Sequence, residues 1–174
     1  MKWLVSLFTI LMSLNSFSTE LLEITALNNK ITLLAPKEFR PMPEKLLSMK
    51  YHASRRPTEV FSDATGGVSL AFNHTQNKMD PSQIASAQKS ISQAFHNLYP
   101  SATWIRDGVV SQNGSEFMVL ELVTPAMDTQ IHNIIYGTSV DGRFLLIAFN
   151  TTVQQAEEWL PIGKKVMESI TLTK

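Results

Sequence analysis

Two short turn motifs limit most strongly the folds that are open to this chain. Asn113-Gly114 and Asp141-Gly142 each stand between two runs rich in apolar residues. Asn-Gly and Asp-Gly pairs readily adopt the positive φ angles that two-residue hairpin turns require. We therefore expect two β-hairpins in the second half of the chain. Their strands would span residues 104–111, 116–123, 130–138 and 143–149.

Two of these four strands are predicted to lie in the middle of a sheet. Residues 117–120 and 144–147 are apolar at every position. A strand with one face in water alternates apolar and polar residues, whereas a strand that is covered on both faces does not. The sequence therefore predicts an antiparallel sheet with a layer packed on each side.

The clearest helix signal precedes the hairpins. Asp80, Pro81 and Gln83 are typical of a helix start with a capping box. Apolar residues then recur at helical spacing until Tyr99-Pro100; they are Ile84, Ala87, Ile91, Phe95 and Leu98. Thr152 and Gln155 predict a second capping box before a last helix, which Pro161 is expected to kink or restart.

The remaining segments complete an α+β domain. Residues 23–27 and 30–34 predict a hairpin around Asn28-Asn29, residues 44–51 a short helix, and residues 60–61 and 68–72 two further strands. We expect an antiparallel sheet of about six to seven strands, covered by helices on both faces as an α/β/α sandwich. Residues 19–174 would form this single domain.

Residues 1–18 have the layout of a cleaved signal peptide. Lys2 precedes an apolar run at residues 3–14, and Ser16-Phe17-Ser18 offers small residues at a cleavage site. The alternative is an uncleaved anchor, but a spanning helix needs about 20 apolar residues. The sequence therefore predicts a periplasmic or secreted protein with a Sec-type signal and no stable membrane span after cleavage.

Composition excludes several classes of function. The 174 residues contain 15 basic and 15 acidic side chains, which leaves none of the positive excess that nucleic-acid binding requires. The absence of cysteine excludes disulfides, thiol nucleophiles and a lipoprotein anchor. The oligomeric state is left open.

No motif predicts a catalytic residue, a metal or a cofactor. Ser86 and Lys89 match the S-x-x-K of penicillin-recognising enzymes, but the S-D-N and K-T-G motifs of those enzymes are missing from the sequence. His74 and Asp80 could supply two metal ligands, yet a lone loop histidine is more often polar surface. We therefore expect a protein that is not an enzyme.

One set of polar residues stands out in the predicted register. A two-residue turn at 113–114 places Arg106 opposite Glu121, and a four-residue loop at 125–128 would place Glu121 opposite His132. A carboxylate between a guanidinium and an imidazole is a candidate binding site. The alternative is a structural row of charges at the end of the sheet. Arg55 and Arg56 form a second candidate, a loop that contacts an acidic partner.

Two stretches carry a family resemblance. One is Ile31-Thr32-Leu33-Leu34-Ala35-Pro36-Lys37-Glu38-Phe39, a strand that runs into a proline and then an aromatic residue, and the other is Val166-Met167-Glu168-Ser169-Ile170. They are similar to the opening strand and to the closing helix and tail of the PsbP-like (Mog-type) α/β/α sandwich superfamily, and the chain resembles in particular its bacterial DcrB-like, uncharacterised periplasmic branch. The resemblance spans about residues 23–172 and carries over no functional residue.

The resemblance implies a non-catalytic adaptor, assembly factor or binding protein. Because the chain also has a predicted signal peptide, it departs from the cytoplasmic secretion chaperones of that superfamily. We expect a protein partner in the cell envelope, and an immunity protein against a secreted toxin is a more specific form of the same idea. The alternative is a small-molecule or lipid binder, or a hydrolase with an unrecognised cleft.

Overall fold

A computed structural model describes residues 19–126 and 128–173, in which ten strands form two antiparallel sheets. The larger sheet has seven strands in the order β3-β4-β5-β9-β8-β7-β6, and the smaller has the order β1-β2-β10. The strands are β1 Leu21–Ala26, β2 Ile31–Pro36, β3 Arg40–Pro41, β4 Glu59–Ser62, β5 Ser69–Lys78, β6 Thr103–Gln112, β7 Ser115–Pro125, β8 Gln130–Val140, β9 Arg143–Thr152 and β10 Thr171–Leu172. The predicted signal peptide lies outside the described residues.

Three helices cover the two faces of the larger sheet. They are α1 Glu44–Lys50, α2 Ile84–Leu98 and α3 Ala156–Glu168, and short 3₁₀ turns span Ala53–Arg55, Pro81–Gln83 and Val153–Gln155. The smaller sheet and α3 pack on one face, and α1 and α2 lie on the other. The predicted α/β/α class is therefore confirmed, although the first hairpin belongs to a separate sheet, which the sequence did not indicate.

The two diagnostic turns have the predicted geometry. Asn113 and Gly114 have φ angles of 48° and 74°, and Asp141 and Gly142 have angles of 50° and 66°. The first hairpin differs from prediction, because Leu27 joins the two asparagines at positive φ and the turn spans residues 27–30. The buried side chain of Leu27 in the core holds this wider turn in place.

The doubly apolar strands lie inside the sheet, as predicted. β9 stands between β5 and β8, and β7 lies one strand from the edge. Phe117 and Val119 of β7 join the core beneath α3, whereas Met118 and Leu120 join the core beneath α2. Each face of the sheet therefore has its own apolar core.

The start of α2 follows the prediction, but its end does not. Asp80 Oδ1 accepts from the backbone of Ser82 at 2.9 Å, and the Asp80 backbone donates to Gln83 Oε1 at 2.8 Å, so the capping box is present. Leu98 was expected on the buried face but is 63% exposed. Ser92 is buried instead, because its hydroxyl donates to Asp107 of β6.

One prediction for the last helix is wrong. The Thr152 hydroxyl donates to the Gln155 side chain at 3.1 Å and caps no backbone group, so no second capping box forms. Pro161 was expected to kink or restart the helix. It lies within α3, which continues without a restart, and the kink stays a prediction. Trp159 and Val166 are buried on either side of the proline and anchor both halves of the helix to the core.

Across the described ranges, 19–126 and 128–173, no helix is both long enough and apolar enough to span a bilayer.

Candidate functional site

The polar residues predicted to form a row lie on the sheet face that α3 covers, but their register differs in part. Arg106 pairs directly with Glu121, and His132 pairs with Thr151, as expected. Glu121, however, faces Ile134 rather than His132. The β7–β8 loop spans residues 126–129, one residue later than the predicted 125–128. Each β7 residue therefore faces the β8 residue two positions beyond the predicted one.

The shift changes the geometry of the contact but does not remove it. A displacement of two residues keeps every side chain on its face, since strand side chains alternate. His132 thus lies diagonally across from Glu121, and its Nε2 donates to Glu121 Oε1 at 2.8 Å. The two residues are only 7% and 5% exposed. The contact is a buried, charge-assisted hydrogen bond.

A lysine from α3 approaches the same carboxylate. Lys164 Nζ lies 3.6 Å from Glu121 Oε1, whereas the Lys164 side chain is half exposed. The preceding residue, Gly163, allows this approach, because a Cβ atom there would lie 2.5 Å from ring carbons of Phe149. The absence of a side chain at Gly163 therefore brings α3 close to the sheet beside Glu121.

Arg106 stands at the rim of this cluster rather than in its centre. No ion pair within 4.0 Å joins Arg106 to Glu121, both of which lie in the described part of the chain. Its guanidinium approaches the buried Tyr136 instead. Burial raises the pKa of the Tyr136 phenol, and Arg106 partly offsets the rise.

These side chains line a cleft of about 300 Å³ between α3 and the edge of the larger sheet. Its lining residues are Ile105, Arg106, Glu121, Ile134, Tyr136, Lys164 and Glu168. His132 lies behind Glu121 and does not line the cleft. The arrangement can hold a small polar group, and we name it the α3 cleft.

The second candidate, the arginine pair, has divided roles. Arg56 contacts Glu44 Oε1 and Ser48 Oγ, both at 2.8 Å, so it fixes the following loop to α1. Its Nε is buried without a hydrogen-bond partner. Arg55 is exposed and lines a groove on the opposite face of the sheet. Arg55 is therefore the member of the pair placed to contact a ligand.

That groove is a feature the sequence reasoning missed. It has a volume of about 410 Å³ and runs between the segment that follows α1 and helix α2. Ala71 of β5 pairs directly with Ala148 of β9, and their small side chains leave the middle of the sheet low. Tyr51 forms one wall, and Phe95 and Tyr99 form the other. The two alanines become a signal only once β5 is known to pair with β9, and that pairing joins segments far apart in the chain.

Two further clefts adjoin this groove, one at each end. A cleft of about 450 Å³ beside α2 shares Phe95 and Leu146 with it, and its lining is almost wholly apolar. At the other end, a cleft of about 310 Å³ shares Tyr51, Asn133 and Asn150. We name the three together the α2 groove. It crosses several strands and carries amide side chains along its length.

Tyr51 is a partly buried ionisable residue in the wall of the α2 groove. Burial raises the pKa of its phenol, and a hydrogen bond with Ser69 acts in the opposite direction. The phenol therefore stays neutral and serves as a hydrogen-bonding group at the groove wall.

The other residues that the sequence singled out lie elsewhere. Ser86 and Lys89 are exposed on α2. The imidazole of His74 is engaged on both nitrogens, at 3.0 Å from the Val140 carbonyl and at 3.0 Å from an Arg143 nitrogen. Within residues 19–126 and 128–173, no group of three or more His, Asp or Glu side chains could hold a metal ion.

No protein-family model matches the chain, and no curated protein matches it either.

Solved structures do match the fold. The solution structure of cyanobacterial PsbP (CyanoP) from Synechocystis sp. PCC 6803 is 14% identical, with a TM-score of 0.61 and coverage of 94% of this chain and 99% of that one. The Ran-binding protein Mog1p of Saccharomyces cerevisiae is 11% identical, with a TM-score of 0.54 and coverage of 89% and 96%. LpqN, described as involved in cell envelope biogenesis of Mycobacterium tuberculosis, is 12% identical, with a TM-score of 0.51 and coverage of 89% and 91%.

These similarities extend over almost the whole of each chain, which is what one shared architecture requires. They concern the fold, because the identities are low. Membership of the DcrB-like branch stays a prediction. The chain therefore shares its fold with PsbP (CyanoP), Mog1p and LpqN.

Proposed function

We propose that this protein is an exported, non-catalytic binding domain of the cell envelope, an adaptor or assembly factor that holds a segment of a partner protein in the α2 groove. Export rests on the signal-peptide pattern of residues 1–18. The binding role rests on the groove. An immunity protein against a secreted toxin belongs to the same class, and the identity of the partner would distinguish it.

The observation that carries this proposal is a floor of small side chains between the segment that follows α1 and helix α2. Ala71 and Ala148 face one another in the middle of the sheet, where Ala71 is buried and Ala148 is partly exposed. A floor of small apolar side chains beneath aromatic walls gains free energy when an apolar side chain enters it. The sequence predicted no pocket at this position.

The shape of the groove favours an extended polypeptide. The groove is long and open on one side, whereas typical small-molecule sites bury most of their ligand. Asn73, Asn133 and Asn150 line its central section. The amides of Asn73 and Asn150 can donate to and accept from a peptide backbone, whereas the Asn133 nitrogen already donates to Leu122, Thr124 and Ile131 and leaves its oxygen as an acceptor. The lining therefore offers backbone contacts as well as apolar ones.

A small apolar molecule is a second candidate occupant. The central section, at about 410 Å³, falls within the roughly 300–1,000 Å³ range of small-molecule sites. The two candidates make different predictions for what remains bound after purification.

The test is capture of partners from the cell envelope. Tagged protein is cross-linked in cells, and the captured material is examined by mass spectrometry of proteins and of extracted small molecules. Ala148→Leu fills the floor of the groove, and we expect at least a tenfold loss of captured partner. Ala85→Leu adds the same side chain at an exposed position on α2 and should leave capture unchanged.

Equal capture by both variants would overturn the groove as the binding site. Recovery of a stoichiometric small molecule with no protein would favour the second candidate. The intact mass of the purified protein tests export separately, since removal of residues 1–18 leaves a chain that begins at Thr19.

A further inference from the structure

The α3 cleft lies on the opposite face of the sheet from the α2 groove and has features that the proposed function does not use. Its floor is Glu121, whose side chain is only 7% exposed. Glu121 Oε1 contacts His132 Nε2 at 2.8 Å and lies 3.6 Å from Lys164 Nζ. No hydrogen bond within the described residues engages Glu121 Oε2. Because Glu121 lines the cleft and Oε2 is not a fully buried unpaired atom, this oxygen is accessible from the cleft and can accept a hydrogen bond from a ligand.

A β-bulge builds the outer wall. β6 pairs Trp104 with Leu122 and then Arg106 with Glu121, so Ile105 is an extra residue in the strand. The bulge lets two consecutive residues, Ile105 and Arg106, line the same cleft. Bulges re-aim side chains in this way and are frequent beside functional sites.

The charges of the cleft balance. Arg106 and Lys164 supply two positive groups, and Glu121 and Glu168 supply two negative groups. A simple anion would meet both carboxylates, and a simple cation would meet the guanidinium and the ammonium. A ligand with one charge of each sign satisfies both sets. The cleft volume of about 300 Å³ restricts that ligand to a small molecule or terminal group.

We propose that the α3 cleft binds a small zwitterion of the α-amino-acid type. The ammonium group of the ligand contacts Glu121 Oε2, and its carboxylate contacts Arg106 and the Tyr136 hydroxyl. Arg106 can present two parallel donors to a carboxylate, the geometry that guanidinium groups favour. Ile105 and Ile134 contact the apolar part of the ligand.

The test uses three matched probes on the purified protein. L-Alanine carries both charged groups, propionate lacks the ammonium, and ethylamine lacks the carboxylate. Isothermal titration and NMR titration measure binding, and the imidazole ¹⁵N shifts of His132 report on ligand contact with its partner Glu121. We expect alanine to bind at least about tenfold more tightly than either half-ligand, which corresponds to about 1.4 kcal/mol.

Substitutions assign each half of the ligand. Arg106→Gln removes an exposed side chain outside the core, so the fold should persist. It should weaken alanine at least tenfold and leave ethylamine unchanged. Glu121→Gln should weaken both alanine and ethylamine. Lys89→Gln, on the other face of the molecule, should change neither.

Three results would overturn the proposal. They are equal affinity for propionate and alanine, unchanged alanine binding by Arg106→Gln, and no saturable binding of alanine by the parent protein. Because Ala148→Leu alters only the α2 groove, it should leave alanine binding intact. Failure of one site is therefore distinguishable from failure of the other.

Discussion

At the scale of single residues, burial makes the Glu121–His132 contact sensitive to substitution. Both side chains are more than nine-tenths buried, and Nε2 of His132 is 2.8 Å from the carboxylate. Removal of one member of a buried, hydrogen-bonded pair leaves the other without a partner in a poorly solvated place. The pair therefore matters for stability whether or not a ligand binds beside it.

We expect His132→Ala to lower the free energy of unfolding by about 3 kcal/mol, because it strips Glu121 of its hydrogen-bond donor. Chemical denaturation at neutral pH measures this loss. His52→Ala, at an exposed position, should change stability by less than about 0.5 kcal/mol. Equal effects from the two variants would show that the buried contact contributes nothing.

Gly163→Ala tests the close approach of α3 to the sheet. The added Cβ would lie 2.5 Å from ring carbons of Phe149, so the helix or the ring must move. Overpacking of this kind costs about 1–3 kcal/mol of unfolding free energy. Gly108→Ala is the matched control, since a Cβ there meets nothing within 4 Å. A similar denaturation midpoint for both variants would contradict the packing argument.

The sequence predicted which residues form the polar cluster better than it predicted how they contact one another. The turn at Asn113-Gly114 specified the pairing of Arg106 with Glu121, because two-residue turns have a single register. The β7–β8 loop carries no such signature, and its register was predicted two residues away from the observed one. Lys164 could not be predicted, since its contact depends on how closely α3 packs.

At the scale of secondary structure, the carboxylate of Asp80 caps the start of helix α2, and its contribution to stability depends on pH. Hydrogen bonds from the Ser82 hydroxyl and backbone hold the pKa of Asp80 below its ordinary value of 3.8. A carboxylate whose pKa is lower in the folded state than in the unfolded state stabilises the fold at pH values above its unfolded-state pKa. This contribution is lost as the pH falls through its folded-state pKa.

Asp80→Asn should therefore separate charge from hydrogen bonding. Asparagine still accepts from the helix backbone, so the variant should resemble the parent near neutral pH. Between about pH 4 and pH 2 the parent should lose stability more steeply than the variant. Urea unfolding across this range measures both slopes. Parallel slopes would show that the Asp80 charge has no part in the pH response.

The order of the strands was only partly readable. Tight turns identified both hairpins, and uniform hydrophobicity identified β7 and β9 as interior strands. Nothing local showed that β5 would pair with β9, because that contact joins segments far apart in the chain. The bulge at Ile105 also lacked a signal, since no glycine marks it. The α2 groove follows from the β5–β9 pairing, which is why it was missed.

At the scale of the whole molecule, an aromatic cluster joins separate layers. The ring of Phe39, which follows the smaller sheet, stacks on Trp159 of α3 at a centroid distance of 5.7 Å and on Phe149 of the larger sheet at 6.4 Å. This cluster lies in the core between the layers. Its loss should therefore affect the molecule as a unit.

Phe39→Ala should lower the free energy of unfolding by about 3–5 kcal/mol, as expected for a large buried side chain. Leu98→Ala removes an exposed apolar side chain and should have little effect. Circular dichroism and tryptophan fluorescence should give coincident unfolding curves for the parent protein, because the layers share one core. Separate transitions would show that the layers unfold independently.

The position of β2 also means that the smaller sheet can be completed only late in folding. It pairs on one side with β1, which precedes it directly, and on the other with β10, at the far end of the described chain. Growing from its N-terminus, the polypeptide cannot complete this small sheet until residues 171–172 are available. Pairings between such distant segments slow folding to milliseconds or seconds. If the chain is exported as we propose, slow folding would keep it unfolded while it crosses the membrane through the export channel.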